Sequence, residues 1–524
     1  MRTIPSLLLA ICLVKTVIGQ HFFVDPSYGT EGISIQQEVA GLICAKPWAL
    51  VPLSDGRLLG AYTVAPDTAM VSCFLPNGEH DTTFGNNGSI LLGGTLGYNY
   101  RVCGMAVGGD GKIMVARTRQ PSNGGDERAI QVVRLLPDGS YDTTFDGNGV
   151  SLISAPDNSN FRAMAIGPDG KLLVAGGVGQ GLALVRITID GQVDQTFANG
   201  GGYYVSPGGE STRVNAMKIH TNGDIYLVGF IAGGFNATGL MICKVHGDGS
   251  LDNGYANGGF FLYDHTTNFF RMESLNDCLL GPDGSLLAAG HIALDTITER
   301  FCVVKLRPDG TLDPSFSDDG ILIHGTPPAN ARNLLHNIIY DPRGSYVLFG
   351  TYIEPNFLYR SLFLCIDQAG NILEDTNGGT FQFYETPDVG SFDRRVVFDA
   401  SGRLIHAVGY CNRPIGISSL TCFVYATTVG FEGPLKEQSA VTAWPNPAID
   451  RINIRCERPL DPNATITLID AVGRQSRIAS SGSARWANDG TLDLELPASL
   501  ANGAYSVSIT STSERTVARI VVQR

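Results

Sequence analysis

Short apolar runs and tight polar turns alternate along this chain, and two patterns return at a nearly fixed interval. The first is a turn closing on Gly that opens an apolar strand. It occurs at Asp55-Gly56, Asp110-Gly111, Asp169-Gly170, Asn222-Gly223, Asp283-Gly284, Arg343-Gly344 and Ser401-Gly402, with glycines 55, 59, 53, 61, 60 and 58 residues apart. The strands that follow run like Lys171-Leu-Leu-Val-Ala-Gly176 and Ser285-Leu-Leu-Ala-Ala-Gly290. Asp-Gly and Asn-Gly between apolar runs predict hairpins, because the turn residues must adopt positive φ. The second pattern is Asp-x-x-(Phe/Tyr)-x-x-x-Gly, at Asp81/Phe84/Gly88, Asp142/Phe145/Gly149, Asp194/Phe197/Gly201, Asp252/Tyr255/Gly259 and Asp313/Phe316/Gly320. A further hairpin turn precedes each, such as Asp309-Gly310. The aromatic is expected to pack between neighbouring units, and the Asp and Gly to shape the turn into the last strand.

One repeat therefore carries about four short strands, and no helical period of 3.6 persists, which predicts an all-β propeller rather than a helical solenoid. The first pattern occurs seven times. The second occurs five times clearly, once in degraded form near Leu373–Gly379, and is missing from the seventh unit. The missing copy stands at the N-terminus: Asp25-Pro-Ser-Tyr28-Gly-Thr-Glu-Gly32-Ile matches Asp313-Pro-Ser-Phe316-Ser-Asp-Asp-Gly320-Ile. The expectation is a seven-bladed β-propeller over 21–431, closed by the N-terminal strand so that no sheet edge stays open. These repeats resemble the delta-60 type of propeller repeat of secreted bacterial proteins, through the run Pro168–Gly176 and the Asp-x-x-Phe-x-x-x-Gly segments. That resemblance implies architecture and no shared reaction.

The flanks read differently. Arg2, the apolar stretch Ile4–Ile18 and the compact residues Val17 and Gly19 predict a signal peptide over 1–19, with the mature chain starting at Gln20. Residues 432–442, with Gly433-Pro434, read as a linker. Residues 443–524 predict a small C-terminal β-sandwich from alternating strands such as Ile452–Arg455 and Ala464–Ile469. This part resembles the C-terminal sorting domain of the type IX secretion system of Bacteroidetes-type bacteria. The matching residues are Pro445, Asn446, Pro447, the Asp470-x-x-Gly473 turn, Gly503, Tyr505 and a basic final strand. Trp444 and Arg524 stand where family members usually carry Tyr and Lys. The resemblance implies the secretion machinery as a partner, a route through the periplasm, cleavage on export, and delivery to the medium or the outer cell surface.

Composition narrows the function classes. A net charge of −13 argues against nucleic acid as a partner, since phosphate binding needs a clustered basic surface. No segment after the leader has the roughly 18 uninterrupted apolar residues of a transmembrane helix. Ten cysteines follow the leader without a Cys-x-x-Cys pair, so zinc is not expected and buried thiols acting as small hydrophobes are. Gly-x-Ser-x-Gly, His-Glu-x-x-His, P-loop, Gly-x-Gly-x-x-Gly and the sialidase Asp-box are all absent, so no catalytic residue and no cofactor is assigned. Acidic loops such as Ser317–Gly320 read as turns rather than calcium sites.

One constellation exceeds what the repeat needs. Arg101, Arg162, Arg213, Arg271, Arg332 and Arg395 stand near the start of the first strand of six units, 7 to 13 residues before the turn glycine. In a propeller that strand lines the centre, so the arginines predict a basic ring able to hold a carboxylate or sulfate bidentately, or else six separate ion pairs. The resulting reading is a secreted, non-catalytic binding module for an unidentified extracellular ligand (glycan, anion or protein). The alternative is a lyase or glycan hydrolase with its site at the channel mouth, which convergent acids or histidines would mark.

Overall fold

The computed structural model describes residues 22–425 apart from short stretches, the longest being 36–44, 264–272, 326–331, 374–381, 386–393 and 411–416, together with the strands between 441 and 522. Every regular element among the described residues is a β-strand. The chain divides into two compact units, Met1–Tyr425 and Ala426–Arg524.

The first unit consists of successive antiparallel meanders. The first sheet is Ala45–Pro52, Leu58–Val64, Thr68–Phe74 and Ser89–Leu92; the second is Tyr98–Val107, Ile113–Pro121, Arg128–Leu135 and Val150–Ala155. The third runs from Ser159–Ile166 through Leu172–Val178 and Gly181–Ile187 to Gly202–Val205, and the fourth from Ser211–Ile219 through Ile225–Gly233 and Ala237–Val245 to Phe260–Tyr263. The fifth comprises Ser274–Leu280, Leu286–Ala293, Glu299–Leu306 and Ile321–His324. The sixth comprises Arg332–Asp341, Ser345–Ile353, Tyr359–Ile366 and Gln382–Glu385, and a single bridge between Glu299 and Arg332 joins it to the fifth. The seventh, Arg394–Phe398, Leu404–Tyr410 and Ile417–Tyr425, takes Phe22–Val24 and Ile33–Ile35 onto its last strand. The opening strand of each sheet lies beside that of the next, and Arg394–Phe398 lies beside Ala45–Pro52.

Two locks recur between and within these sheets, and both come from the second sequence pattern. Its Asp accepts from the residue two positions on and pairs with a cation from the first hairpin turn, from the third strand, or from both. Asp81 meets Arg57 at 2.9 Å, Asp142 meets Lys112 and Arg134 at 2.8 and 2.7 Å, and Asp194 meets Lys171 and Arg186 at 2.7 and 2.8 Å. Lys171, then Thr196, holds the Asp194 carboxyl well below the usual carboxylate range. Asp252 with Lys244 and Asp313 with Lys305 repeat the arrangement, and Asp25 of the N-terminal segment meets Arg403 of the seventh sheet at 3.5 Å.

The aromatic ring supplies the second lock, as the spacing predicted. Phe84, Phe145, Phe197 and Phe316 are buried under the turn glycines Gly139, Gly191, Gly249 and Gly370 of the following sheet. A Cβ on Gly139, whose φ is +87°, would sit 3.0 Å from the Phe84 ring. The residue after each aromatic donates its N–H to a carbonyl of that same turn: Gly85 to Asp138 at 2.7 Å, Asp146 to Asp190 at 2.9 Å, Ala198 to Asp248 at 3.0 Å, Ala256 to Asp309 and Ser317 to Ala369 at 2.8 Å. Tyr28 and Gly29 do the same with Gly78 and Asn77 of the first sheet, the hydrogen bond being 2.6 Å.

Apolar side chains fill the space between successive sheets. Ala163, Leu173, Ala175 and Leu184 of the third pack against Val214, Leu227 and Met241 of the fourth. The middle strands are therefore buried on both faces and read as continuous apolar runs. Cys73, Cys103, Cys243, Cys278 and Cys302 are buried thiols within these layers, and burial pushes the Cys103 thiol up to about 12.

In the second unit, two four-stranded antiparallel sheets form from Val441–Trp444, Arg451–Cys456, Thr491–Glu495 and Arg485–Trp486, and from Gln475–Ser480, Thr465–Asp470, Gly503–Thr510 and Arg515–Val522. Gly503 and Tyr505 open a central strand and face Val522 and Ile520 in register. Pro445, Asn446, Pro447 and Gly473 lie outside the described residues.

Candidate functional site

A β-bulge interrupts the opening strand of each of the first six sheets. The extra residue is Trp48, Cys103, Arg162, Asn215, Asn276 and His336 in turn. A bulge bends the strand and re-aims a side chain, so this position is a built-in place for variation. The facing strand usually carries Gly there. A Cβ on Gly229 would lie 1.8 Å from the Arg213 carbonyl oxygen.

The second sheet breaks that rule, with Arg117 opposite the bulge. Its guanidinium is buried, donates to the carbonyls of Leu92 and Gly93 at 2.7 and 2.5 Å and to Gln131 at 2.6 Å, and stacks 4.2 Å from the Tyr100 ring centre. Burial pushes its pKa down to about 10. Arg117 thereby fixes Tyr100, one wall of a cleft of about 500 Å³. Trp48, Arg101, Arg119, Arg128 and Asn160 form other walls. A second hollow of about 250 Å³ adjoins it through the shared residues Arg128 and Asn160, and reaches Ser211 and Arg213 of the fourth sheet.

These arginines are held differently from those of the locks. Arg101 stacks 4.4 Å from the Trp48 ring centre, and Arg119 stacks 4.2 Å from that of Tyr98. Arg128 donates to the Ser159 carbonyl at 2.8 Å, and Arg213 lies over Phe230 at 5.8 Å. A carbonyl and an aromatic face orient the Arg128 and Arg213 guanidinium groups without cancelling their charge. The exposed Glu127 carboxylate lies 3.0 Å from Arg119 and also accepts from the Tyr98 hydroxyl at 2.7 Å. Trp48 Nε1, Arg119 Nε and Arg128 Nε are buried donors with no hydrogen-bond partner, and all three residues line this cleft. In a chain of net charge −13, such a concentration of cations and open donors suits an acceptor-rich anion.

The five described arginines of the six singled out in the sequence do not share one register position. Arg101 and Arg213 both stand two residues before the bulge and line the two hollows. Arg162 is itself a bulge residue and donates to Asn160 at 3.1 Å. Arg332, four residues before its bulge, grips the buried Glu299 with two nitrogens at 2.5 and 3.3 Å. Arg395 donates to the Trp48 carbonyl at 2.9 Å, and Arg271 lies outside the described residues. Trp48, Arg119 and Arg128 were not singled out, because they sit at a bulge and on second and third strands. Their signal was a departure from the repeat: Arg117-Thr-Arg119 stands where Gly176-Gly-Val178 stands in the next unit.

The opening strands of the fourth to sixth sheets carry a polar belt of another kind. Asn215 donates to the Leu275 carbonyl at 2.9 Å, and Asn276 to the Leu335 carbonyl at 2.6 Å. Asp277 accepts from the Cys278 N–H at 2.9 Å, from Asn337 at 3.1 Å and from the Ile338 N–H at 3.2 Å, and its charge raises the pKa of Lys218. With its carboxylate so engaged, Asp277 ties sheet to sheet. Among the described residues no group of His, Cys, Asp and Glu is arranged to hold a metal ion.

Residues 442–523 match the family described as the secretion system C-terminal sorting domain, and residues 108–145, 167–197 and 281–316 match a beta-propeller domain of unknown function (DUF5122). This is a propeller protein with a type IX sorting domain. The sorting domain marks the propeller protein for type IX secretion, to the medium or the cell surface. No helix among the described residues is long and apolar enough to cross a membrane. No curated protein matches the chain. Solved structures similar to it include a protein of unknown function from Dyadobacter fermentans, 12% identical over 77% of this chain and 99% of that one, with a TM-score of 0.41. An ulvan lyase of a polysaccharide lyase family is 9% identical over 73% and 95%, with a TM-score of 0.41. The endo-arabinase of Bacteroides thetaiotaomicron is 13% identical over 49% and 92%, with a TM-score of 0.27. Likenesses this distant bear on neither activity nor ligand.

Proposed function

We propose that this chain is a non-catalytic glycan-binding protein, exported through the periplasm, whose propeller holds an acidic sugar in the arginine-lined cleft. The observation that carries the reading is the set of guanidinium groups held by aromatic rings and carbonyls beside three unpartnered donors. Two nitrogens of one guanidinium match the two oxygens of a carboxylate or sulfate. Among the described residues, those lining the two hollows include neither carboxylate nor imidazole, the groups that serve as acid and base in most glycoside hydrolysis.

The same proposal holds the propeller to be seven-bladed, spanning 21–431, closed by the N-terminal strands and followed by a linker over 432–442. Three observations support closure. Phe22–Val24 and Ile33–Ile35 pair with Ile417–Tyr425, Asp25 meets Arg403, and Tyr28-Gly29 engages the Asn77-Gly78 turn as the five described aromatics from Phe84 to Phe316 engage theirs. Removing 22–35 is expected to bare the edge of the seventh sheet and lower the melting temperature; an unchanged melt contradicts closure.

The functional test is retention of the exported protein on immobilised oligosaccharides. Carboxylated or sulfated glycans are expected to retain it, and Arg119→Gln combined with Arg128→Gln to abolish retention, with ligand mass unchanged after long incubation. Retention on neutral glycans alone overturns the anion reading. Shortened or unsaturated products overturn the non-catalytic one.

A further inference from the structure

We infer that the ligand is a chain with several anionic groups, bound across two subsites, rather than a single acidic sugar or a free ion. The inference rests on the acidic-glycan reading and specifies the occupant of that same site. The two hollows form one path. The larger lies against the opening strands of the first and second sheets, the smaller against those of the third and fourth, and Arg128 and Asn160 belong to both. Cations mark both ends and the join: Arg101 and Arg119 at one end, Arg128 at the join, and Arg213 at the other end.

Between the ends the third sheet has withdrawn its side chains. Arg101, Asn160 and Arg213 occupy one register position, two residues before the bulge of the second, third and fourth sheets. The third sheet thus places a short neutral amide between two arginines. On the strand facing it, Gly177 stands where the second sheet has Thr118 and the fourth has Phe230. Gly177 has no room for a side chain, since a Cβ would lie 1.9 Å from the Thr212 carbonyl oxygen. The wall formed by the third sheet therefore stays low at the join, where a ligand passing from one hollow into the next meets the short Asn160 amide and Arg128.

The lining also distinguishes a sugar chain from other polyanions. Asn99, Gln120, Asn160, Thr63 and Ser211 line the hollows together with the arginines, and Trp48 and Tyr100 supply aromatic walls. A phosphate chain has no use for aromatic faces, whereas a sugar ring presents C–H groups to an aromatic face and hydroxyls to amides. The combined space of the two hollows falls in the range of sites for ligands larger than a monosaccharide.

Calorimetric titration of the full exported chain with galacturonic acid and with its dimer, tetramer and hexamer tests the inference, with carrageenan oligosaccharides as the sulfated series and polyglutamate as the polyanion without sugar. Affinity is expected to rise at least about tenfold from monomer to tetramer, because the second subsite engages intramolecularly, and then to level off. Arg213→Gln is expected to remove that rise; the more effective series, carboxylated or sulfated, identifies the anionic group. Affinity independent of length, with the monomer bound, overturns the two-subsite inference and leaves the acidic-glycan reading standing. Polyglutamate binding as tightly as the hexamer overturns the sugar chain. Failure of every acidic sugar at every length overturns both readings. Should Arg213→Gln lower the melting temperature, Arg213→Lys keeps the charge without the fork and is expected to retain the melt while losing most of the length dependence.

Discussion

The outer locks and the inner bulges of the propeller are built on the same period, yet they vary in opposite ways. At the locks six described copies repeat one chemistry: an Asp facing a cation, an aromatic ring beside a turn of the neighbouring sheet, one N–H donated to that turn. At the bulge the first six sheets carry five residue types, Trp, Cys, Arg, Asn, Asn and His in turn, with only Asn215 and Asn276 alike. A position that every unit needs for assembly is held constant within the chain. A position that the fold merely presents toward the centre is open to individual use. The cleft arose where the second sheet departs furthest from its siblings, with Arg117 filling the glycine's place and Arg119 beside it.

That contrast is open to direct tests, taken from the largest expected effect to the smallest. Phe145→Ala empties the space beneath Gly191, and loss of a buried Phe typically costs about 3–5 kcal/mol. Melting is expected to fall by many degrees while the surviving folded protein still binds anionic glycan. Unchanged melting would break the idea that the aromatics hold the sheets together. Asp194→Asn leaves Lys171 and Arg186 facing an amide, and disrupting so buried a pair is expected to cost about 3 kcal/mol, read from chemical denaturation. The pH dependence follows with a definite sign. The folded Asp194 carboxyl lies below its unfolded value of about 3.9, so its stabilisation is complete above that value and drains away as pH falls further. Wild-type stability is expected to drop steeply below about pH 4, and Asp194→Asn to flatten the drop. A variant with the wild-type acid profile would remove this lock from the account. Arg119→Gln is expected to change stability by no more than about 0.5 kcal/mol, since its carboxylate partner is exposed, but to abolish the stabilisation that acidic oligosaccharides confer. Destabilisation comparable to Asp194→Asn would move Arg119 to the structural class.

The locks were largely legible in the sequence because they are local. An Asp, an aromatic and a Gly within eight residues announce a turn, and their recurrence announces assembly. The N-terminal copy at Asp25–Gly32 was equally plain, since it repeats the segment at Asp313–Gly320. The cations facing each Asp escaped notice, being spread over a distant turn and another strand, as with Lys112 and Arg134 around Asp142. The cleft was legible only in part. Arg101 and Arg213 stood out by type and place, but distance along the chain treated Arg332 as their equal, and the bulge register separates them. Glu299, which Arg332 grips, lies on the third strand of the preceding sheet, a neighbour that no spacing rule reveals. Trp48 and Arg128 come together only through packing of the first two sheets.

The division between constant locks and individual bulges is tested most directly by titrating hexagalacturonate into two variants, Phe145→Ala and Arg128→Gln, with the melting temperature of each recorded alongside. The account predicts that Phe145→Ala melts many degrees lower yet keeps its affinity within about threefold, whereas Arg128→Gln melts close to wild type and binds at least about tenfold more weakly, a loss of 1.4 kcal/mol or more. An Arg128→Gln protein that binds normally but melts early, or a Phe145→Ala protein that melts normally, would contradict it.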